Sequence, residues 1–343
     1  MRAAIWNEPG KPLVIGEVPD PSPGPRELVL RVHGCGICGS DLHVSDTTSF
    51  PPGTVMGHEF AGEVVAIGPD ANAAVDGREW QLGDRVASLP AVGCARCAPC
   101  LTGDVMVCPD LQTTGLGVLP GGYAEYVRVG ARESLRLPDN ASFAEGALVE
   151  PLAVGLHVVD VARIAARENV LIIGAGPVGA AVAVWARHSG ARSVILSDPV
   201  APRRDLACRL GASGAIDPTS QEVLPEFERQ AGAPPDVIVE CVGIPGMIQH
   251  CIEVAPTRSR VIIAGVCLQP DNIVPVLGVM KELSLKFVAY YHRSDFETTI
   301  DALANERLPT REMITDRVAL DAMPDAFEAL KQPTTQCKVV VEP

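Results

Sequence analysis

The sequence predicts an α/β protein in two domains, one β-rich with long loops and one built on a doubly wound parallel sheet. Three observations carry this. At 343 residues the chain exceeds what a single core usually serves, so two domains, each burying most of its apolar surface, are expected. The early part alternates short apolar runs with Pro and Gly, as in ProAspProSerProGlyPro at 19–25 followed by GluLeuValLeuArgValHis, the pattern of short antiparallel strands and turns. From Asn169 strand-like runs alternate with helical ones, which means a parallel sheet with helices on both faces.

Composition excludes several classes. With 47% hydrophobic and 20% charged residues the chain reads as a soluble globular protein. A net charge of −14, from 42 acids against 28 bases, argues against nucleic acid or an anionic membrane as partner. No apolar window of about twenty residues and no signal-peptide layout is present, so a cytoplasmic protein is expected. Its eleven cysteines should then stay reduced, and clusters among them read as metal sites before disulfides. Cys35, Cys208, Cys241, Cys251, Cys267 and Cys337 mostly sit in apolar runs and read as small buried hydrophobes.

The β-rich part continues through GluValValAlaIleGly at 63–68 and GlyAspArgValAlaSer at 83–88. Between its strands lie GlyIleCysGlySerAspLeuHis at 36–43 and GlyHisGluPheAlaGly at 57–62, which read as turns. They offer Cys38, His58 and Glu59 as thiolate, imidazole and carboxylate ligands suited to Zn²⁺. His33 reads as the end of a strand. Next, Cys94, Cys97, Cys100 and Cys108 supply four thiolates, a closed tetrahedral zinc site that pins a lobe lacking its own core. GlyGlyTyrAlaGluTyrVal at 121–127 reads as a returning strand, and Ser142 with Glu145 as a capping box opening a helix. Glu150 and Pro151 open a longer helix, with Glu150 a third carboxylate ligand or its neighbour and His157 a packed core residue.

In the second part ValLeuIleIle at 170–173 is a buried strand, followed by Gly174, Gly176, Pro177, Val178 and Gly179 and then a helix. A second strand ends at Asp198. This is the full context of a dinucleotide-binding turn, in which glycines admit the pyrophosphate at a helix N-terminus and Asp198 accepts the ribose hydroxyls. That carboxylate would repel a 2′-phosphate, so NAD is expected over NADP, with Arg203 and Arg204 placed to soften the preference. Further strands at 236–243, 260–266 and 284–291 follow, with Val242, Gly243, Gly265 and Val266 at strand ends expected to face the nicotinamide. Helices near 245–255, 296–304 and 324–331 and a strand at 338–341 complete the chain, and the tail is expected to rejoin the first domain.

These words together resemble the zinc-dependent alcohol dehydrogenases of the medium-chain dehydrogenase/reductase family over nearly the whole chain. The resemblance implies a GroES-like catalytic domain, residues 1–152 and 290–343, and a Rossmann NAD-binding domain, 153–289. It implies two zincs per chain, catalytic at Cys38 and His58 and structural at the four cysteines. Ser40 and His43 match its proton relay, Glu59 a carboxylate that approaches the metal, and Asp41 a group orienting the zinc imidazole. GluProLeuAlaVal at 150–154 looks like the sorbitol and butanediol branch, which leaves the third ligand open between Glu150, Glu59 and water. Ala289–Tyr291 departs from the aromatic, basic, aromatic pattern common in polyol enzymes. The implied activity is oxidation of an alcohol with hydride transfer to NAD, with a threonine-type amino alcohol as the rival substrate. Phe50, Trp80, Leu111 and Leu116 are apolar pocket candidates without a cationic anchor, which favours a neutral alcohol or diol. A homo-oligomer, tetramer before dimer, is also implied.

Overall fold

The computed structural model describes residues 1–71, 74–332 and 335–343. Packing divides it into two compact units, Met1–Glu150 with Tyr291–Arg307 and Ile314–Pro343, and Pro151–Tyr290 with Leu308–Met313.

In the first unit a seven-stranded sheet runs in the order Ser134–Arg136, Arg85–Ser88, Glu59–Ile67, Glu27–Gly36, Lys338–Glu342 and Ile314–Ala319, with Tyr126–Gly130 also pairing Glu27–Gly36. Glu27–Gly36 is its hub: Leu28, Val29, Leu30 and Val32 are all buried, as a strand covered on both faces requires. Leu28, Leu30 and Val32 pack with Phe60, Val64, Tyr123, Val127 and Phe327 into one core. Register then fixes the site. Gly36 stands opposite Glu59 on one side and Val340 on the other, and a Cβ on Gly36 would lie 2.1 Å from a Glu59 carboxylate oxygen. Only glycine leaves room there for a buried carboxylate.

Several expectations shift. Residues 39–45 form a helix, Gly39–Ser45, rather than a turn; it starts after an extended Cys38, and its first-turn Asp41 is buried. The Ser142–Glu145 capping box is present, but its helix spans only Phe143–Gly146, and a separate helix, Val149–Ala162, carries Glu150 in its first turn. Ile314–Ala319 is a strand although Asp316 and Arg317 sit at its centre; its parallel pairing with Lys338–Glu342 overrides weak strand propensity. His33 lies within Glu27–Gly36, stacked on Phe143 at 4.4 Å.

The second unit holds a six-stranded sheet, all parallel, ordered Gly214–Ile216, Ser193–Ser197, Asn169–Ile173, Val237–Glu240, Arg260–Ile263, Ser284–Phe287. In chain order this is 3-2-1-4-5-6, the doubly wound arrangement whose ligands bind at the carboxyl ends of the strands. Two strands end earlier than the sequence suggests, at Glu240 and Ile263, so Val242, Gly243, Gly265 and Val266 lie in the loops beyond them. The last strand stops at Phe287 because the chain then leaves the sheet, with Tyr290 in a left-handed conformation, φ 65°.

Candidate active site

Cys38 caps the helix Gly39–Ser45, while His58 and Glu59 lead into the neighbouring strand; folding brings a sulfur, an imidazole nitrogen and a carboxylate oxygen within 4.8 Å of one another. His58 and Glu59 are buried, at 5% and 1% exposure. The donor set suits zinc: borderline-soft Zn²⁺ takes S, N and O ligands together. The charges suit it too. Burial pulls the His58 imidazole down, yet the Asp41 carboxylate and the Cys38 sulfur more than reverse this and hold it well above its ordinary value, so the pocket favours a cation. Asp41 Oδ1 lies 3.3 Å from His58 Nδ1, a close charge contact without the alignment of a hydrogen bond, so Nε2 is the nitrogen that could hold a metal. Ser40 donates its hydroxyl to Cys38 Sγ at 3.2 Å. Ser40 and exposed His43 are three residues apart on one short helix, and that spacing puts them on one face.

Lys338 is the residue that sequence reasoning missed. Its ammonium donates to both Glu59 oxygens, at 2.7 and 2.6 Å, and to Ile37 O at 3.0 Å, and both side chains are 1% exposed. Burial pulls the ammonium down and the Glu59 carboxylate more than offsets it, leaving Lys338 above its ordinary value. The available signal was one cation opening the apolar run Val339, Val340 and Val341. Glu150 stands outside the three-residue cluster; burial pushes its carboxyl up to about 7, the Tyr291 hydroxyl bonds to it, and Glu59 raises it further while His58 opposes. Of the apolar pocket candidates, Trp80 belongs instead to the core, buried with the Arg136 guanidinium 4.5 Å over its ring. Phe50 packs against Gly117, whose added Cβ would lie 2.5 Å from its ring.

The four cysteines also come together. Cys94 and Cys100 sulfurs are 4.0 Å apart, Cys97 and Cys108 sulfurs 3.7 Å. A disulfide would bring two sulfurs to about 2 Å, whereas tetrahedral Zn–S bonds of about 2.3 Å separate them by about 3.8 Å. The observed spacing fits zinc. Backbone N–H groups of Arg96 and Cys97 hold the Cys94 thiol down to about 6, while burial lifts Cys100 to about 12.

Beside this lobe Glu133 is buried, and burial pushes its carboxyl up to about 7 against the opposing N–H groups of Glu133 and Gly93. A raised folded pKa means stability that is full below about 4.5 and lost as pH rises through about 7. Glu133→Gln is therefore expected to gain on the parent between pH 5 and pH 8, by about 3 kcal/mol at most. Denaturant unfolding at the two pH values measures it; a pH-independent difference would show that Glu133 ionises without cost.

In the second unit Gly174 has φ 98°, and a Cβ on Gly179 would lie 2.0 Å from Gly174 O, so close turn packing needs both glycines. A Cβ on Gly176 would meet nothing within 4 Å; the open space there fits a pyrophosphate at the N-terminus of helix Pro177–His188, whose first turn holds Val178. Asp198 follows the strand Ser193–Ser197, is buried, and accepts the N–H groups of Ala175 and Val200, each at 2.8 Å. It ties the glycine turn to the next strand and retains lone pairs for a ribose. Arg204 turns inward to Asp198 O and Asp217, while Arg203 lies half-buried on the same helix, Ala201–Arg209. Glu240, also unforeseen, accepts the N–H groups of Val242 and Gly243 at 2.6 and 2.8 Å and so shapes the loop expected to face the nicotinamide.

Such a chain falls in the class of metal-dependent dehydrogenases. An alcohol dehydrogenase GroES-like domain matches residues 24–139 and a zinc-binding dehydrogenase domain matches 177–305. The chain is 31% identical to scyllo-inosose 3-dehydrogenase of Thermotoga maritima, over 98% of this chain and 91% of that protein. It is 32% identical to sorbitol dehydrogenase of Gallus gallus, over 92% and 89%. A zinc-binding dehydrogenase from Sinorhizobium meliloti bound to NADP has a TM-score of 0.85 at 32% identity, over 100% and 99% of the two chains. The protein therefore belongs to the zinc-dependent alcohol dehydrogenases of the medium-chain dehydrogenase/reductase family, and it is an oxidoreductase acting on CH–OH groups.

Proposed function

We propose that the protein reversibly oxidises a secondary alcohol, diol or polyol to a ketone, with NAD taking the hydride and one catalytic and one structural zinc per chain. The cluster of Cys38, His58 and Glu59, with the Ser40 hydroxyl on the Cys38 sulfur, is the observation that carries this reading. Zinc bound there would act as a Lewis acid on the alcohol oxygen and lower its pKa. Ser40 takes the alcohol proton and passes it toward His43, whose exposed imidazole exchanges it with water. Glu59 is the carboxylate within reach of the metal, held back by Lys338, and Glu150 with Tyr291 forms the adjoining wall. Domains at 1–152 with 290–343 and at 153–289 divide these tasks. Relatives named for sorbitol and scyllo-inosose support a polyhydroxylated substrate. Asp198 supports NAD, although the Sinorhizobium relative is bound to NADP.

Among the described residues no helix is long and apolar enough to cross a membrane, and we place the protein in the cytoplasm. The edge strand Ser284–Phe287 is exposed along its length, Phe287 at 66%, beside Val279 and Met280 at 70% and 75%. An edge of this kind invites pairing with a second copy, which supports a homo-oligomer, tetramer or dimer.

The test is one preparation assayed for zinc per chain, for mass by light scattering, and for NADH or NADPH formation over secondary alcohols, diols, polyols, primary alcohols and threonine. Two zincs, an oligomer, and turnover of secondary alcohols or diols with kcat/KM at least about tenfold higher for NAD are expected. Turnover of threonine alone would move the substrate to the amino-alcohol reading. A preference for NADP would overturn the role of Asp198, and one zinc without turnover would overturn the Cys38–His58 site.

A further inference from the structure

Tyr123 lies in the GlyGlyTyrAlaGluTyrVal segment, which the proposed reaction does not use. Its side chain is fully buried, and its hydroxyl donates to Asp41 Oδ2 at 2.5 Å, with Gly36 O farther off at 3.4 Å. A phenol has one proton to give, so the Asp41 bond takes it. Asp41 is itself 1% exposed and turns its other oxygen toward His58 Nδ1 at 3.3 Å. The three side chains thus form a line from the core of the first unit to a candidate zinc ligand. The backbone is shaped around the same ring. Gly57, immediately before His58, has φ 96°, and a Cβ on it would lie 2.6 Å from Tyr123 Cδ1. The ring sets where the chain enters His58, and the hydroxyl sets where Asp41 points.

We propose that Tyr123 is a positioning residue for the catalytic zinc: its hydroxyl fixes the Asp41 carboxylate, which fixes the His58 ring with Nε2 toward the metal. A buried carboxylate without this donor keeps one acceptor lobe empty and gains freedom to rotate. The imidazole whose Nδ1 faces that carboxylate then loses its fixed direction. The proposal rests on the reading of Cys38 and His58 as zinc ligands.

Tyr123→Phe tests it, because the ring still fills the space beside Gly57 and only the hydroxyl is lost. Zinc release from the holoprotein to a chromogenic chelator is followed in the parent and the variant, and the four-cysteine zinc serves as the internal control. The expected result is about tenfold faster or weaker retention of one zinc, at the low end of the 10- to 100-fold range for groups behind a metal ligand, with the second zinc unchanged. Asp41→Asn should loosen the same zinc, and the double variant should be no worse than Asp41→Asn alone, since the hydroxyl acts through Asp41. Two zincs in the parent with identical release from Tyr123→Phe would overturn the role of Tyr123 alone. Equal loosening of both zincs would mean general destabilisation and would also overturn it, and a parent with a single zinc would remove both this inference and the reading beneath it. Should Tyr123→Phe fail to fold, additive losses from Tyr123→Leu and Asp41→Asn would overturn it instead.

Discussion

Lys338→Met is expected to destabilise the first unit by about 3–5 kcal/mol, because it strands the Glu59 carboxylate, 1% exposed, without its counter-ion. The ammonium also satisfies Ile37 O, so three acceptor contacts are lost together. Adding Glu59→Gln to Lys338→Met should recover most of the loss, since a neutral side chain no longer requires a buried cation. Denaturant unfolding of the zinc-loaded protein reads both effects. If Lys338→Met unfolds at the parental midpoint at neutral pH, the ion pair contributes nothing and another group holds Glu59.

Cys38→Ser should cut turnover by at least about a thousandfold and halve the zinc content from two to one. Losing the Lewis acid forfeits several kcal/mol of charge stabilisation, and each 1.36 kcal/mol is a factor of ten in rate. Ser40→Ala is the informative contrast. It removes the hydroxyl 3.2 Å from Cys38 Sγ but no donor to the metal, so zinc should stay at two while kcat falls by about a hundredfold, as for loss of a proton-transfer group. Metal analysis and initial rates on the same samples separate the two. Parental turnover in Cys38→Ser would dismiss the metal site, and parental turnover in Ser40→Ala would dismiss the relay.

Local chemistry was legible in the residues. The thiol spacing at 94–108 announced a metal lobe, because four thiolates so close in a reduced chain have few other uses, and the structure brings their sulfurs together. The glycine turn at 174–179 was legible because strand, turn and helix follow one another within a single unit of chain. The short helix at 39–45 was not, since about two turns of helix carry little periodic signal and glycine at their start reads as a loop. Trp80 looked like pocket lining because apolarity alone cannot tell a site wall from a core.

The sequence by itself determined the fold class, the kinds of ligand and their grouping along the chain, because these depend on residue type and short spacing. The tertiary structure alone decided which carboxylate meets the metal candidates, and what holds it there. Glu59 and Lys338 are 279 residues apart and touch only because two strands flank Gly36. Tyr123 reaches Asp41 across 82 residues. Partnerships of that length are set by strand register and core packing, which no local pattern encodes.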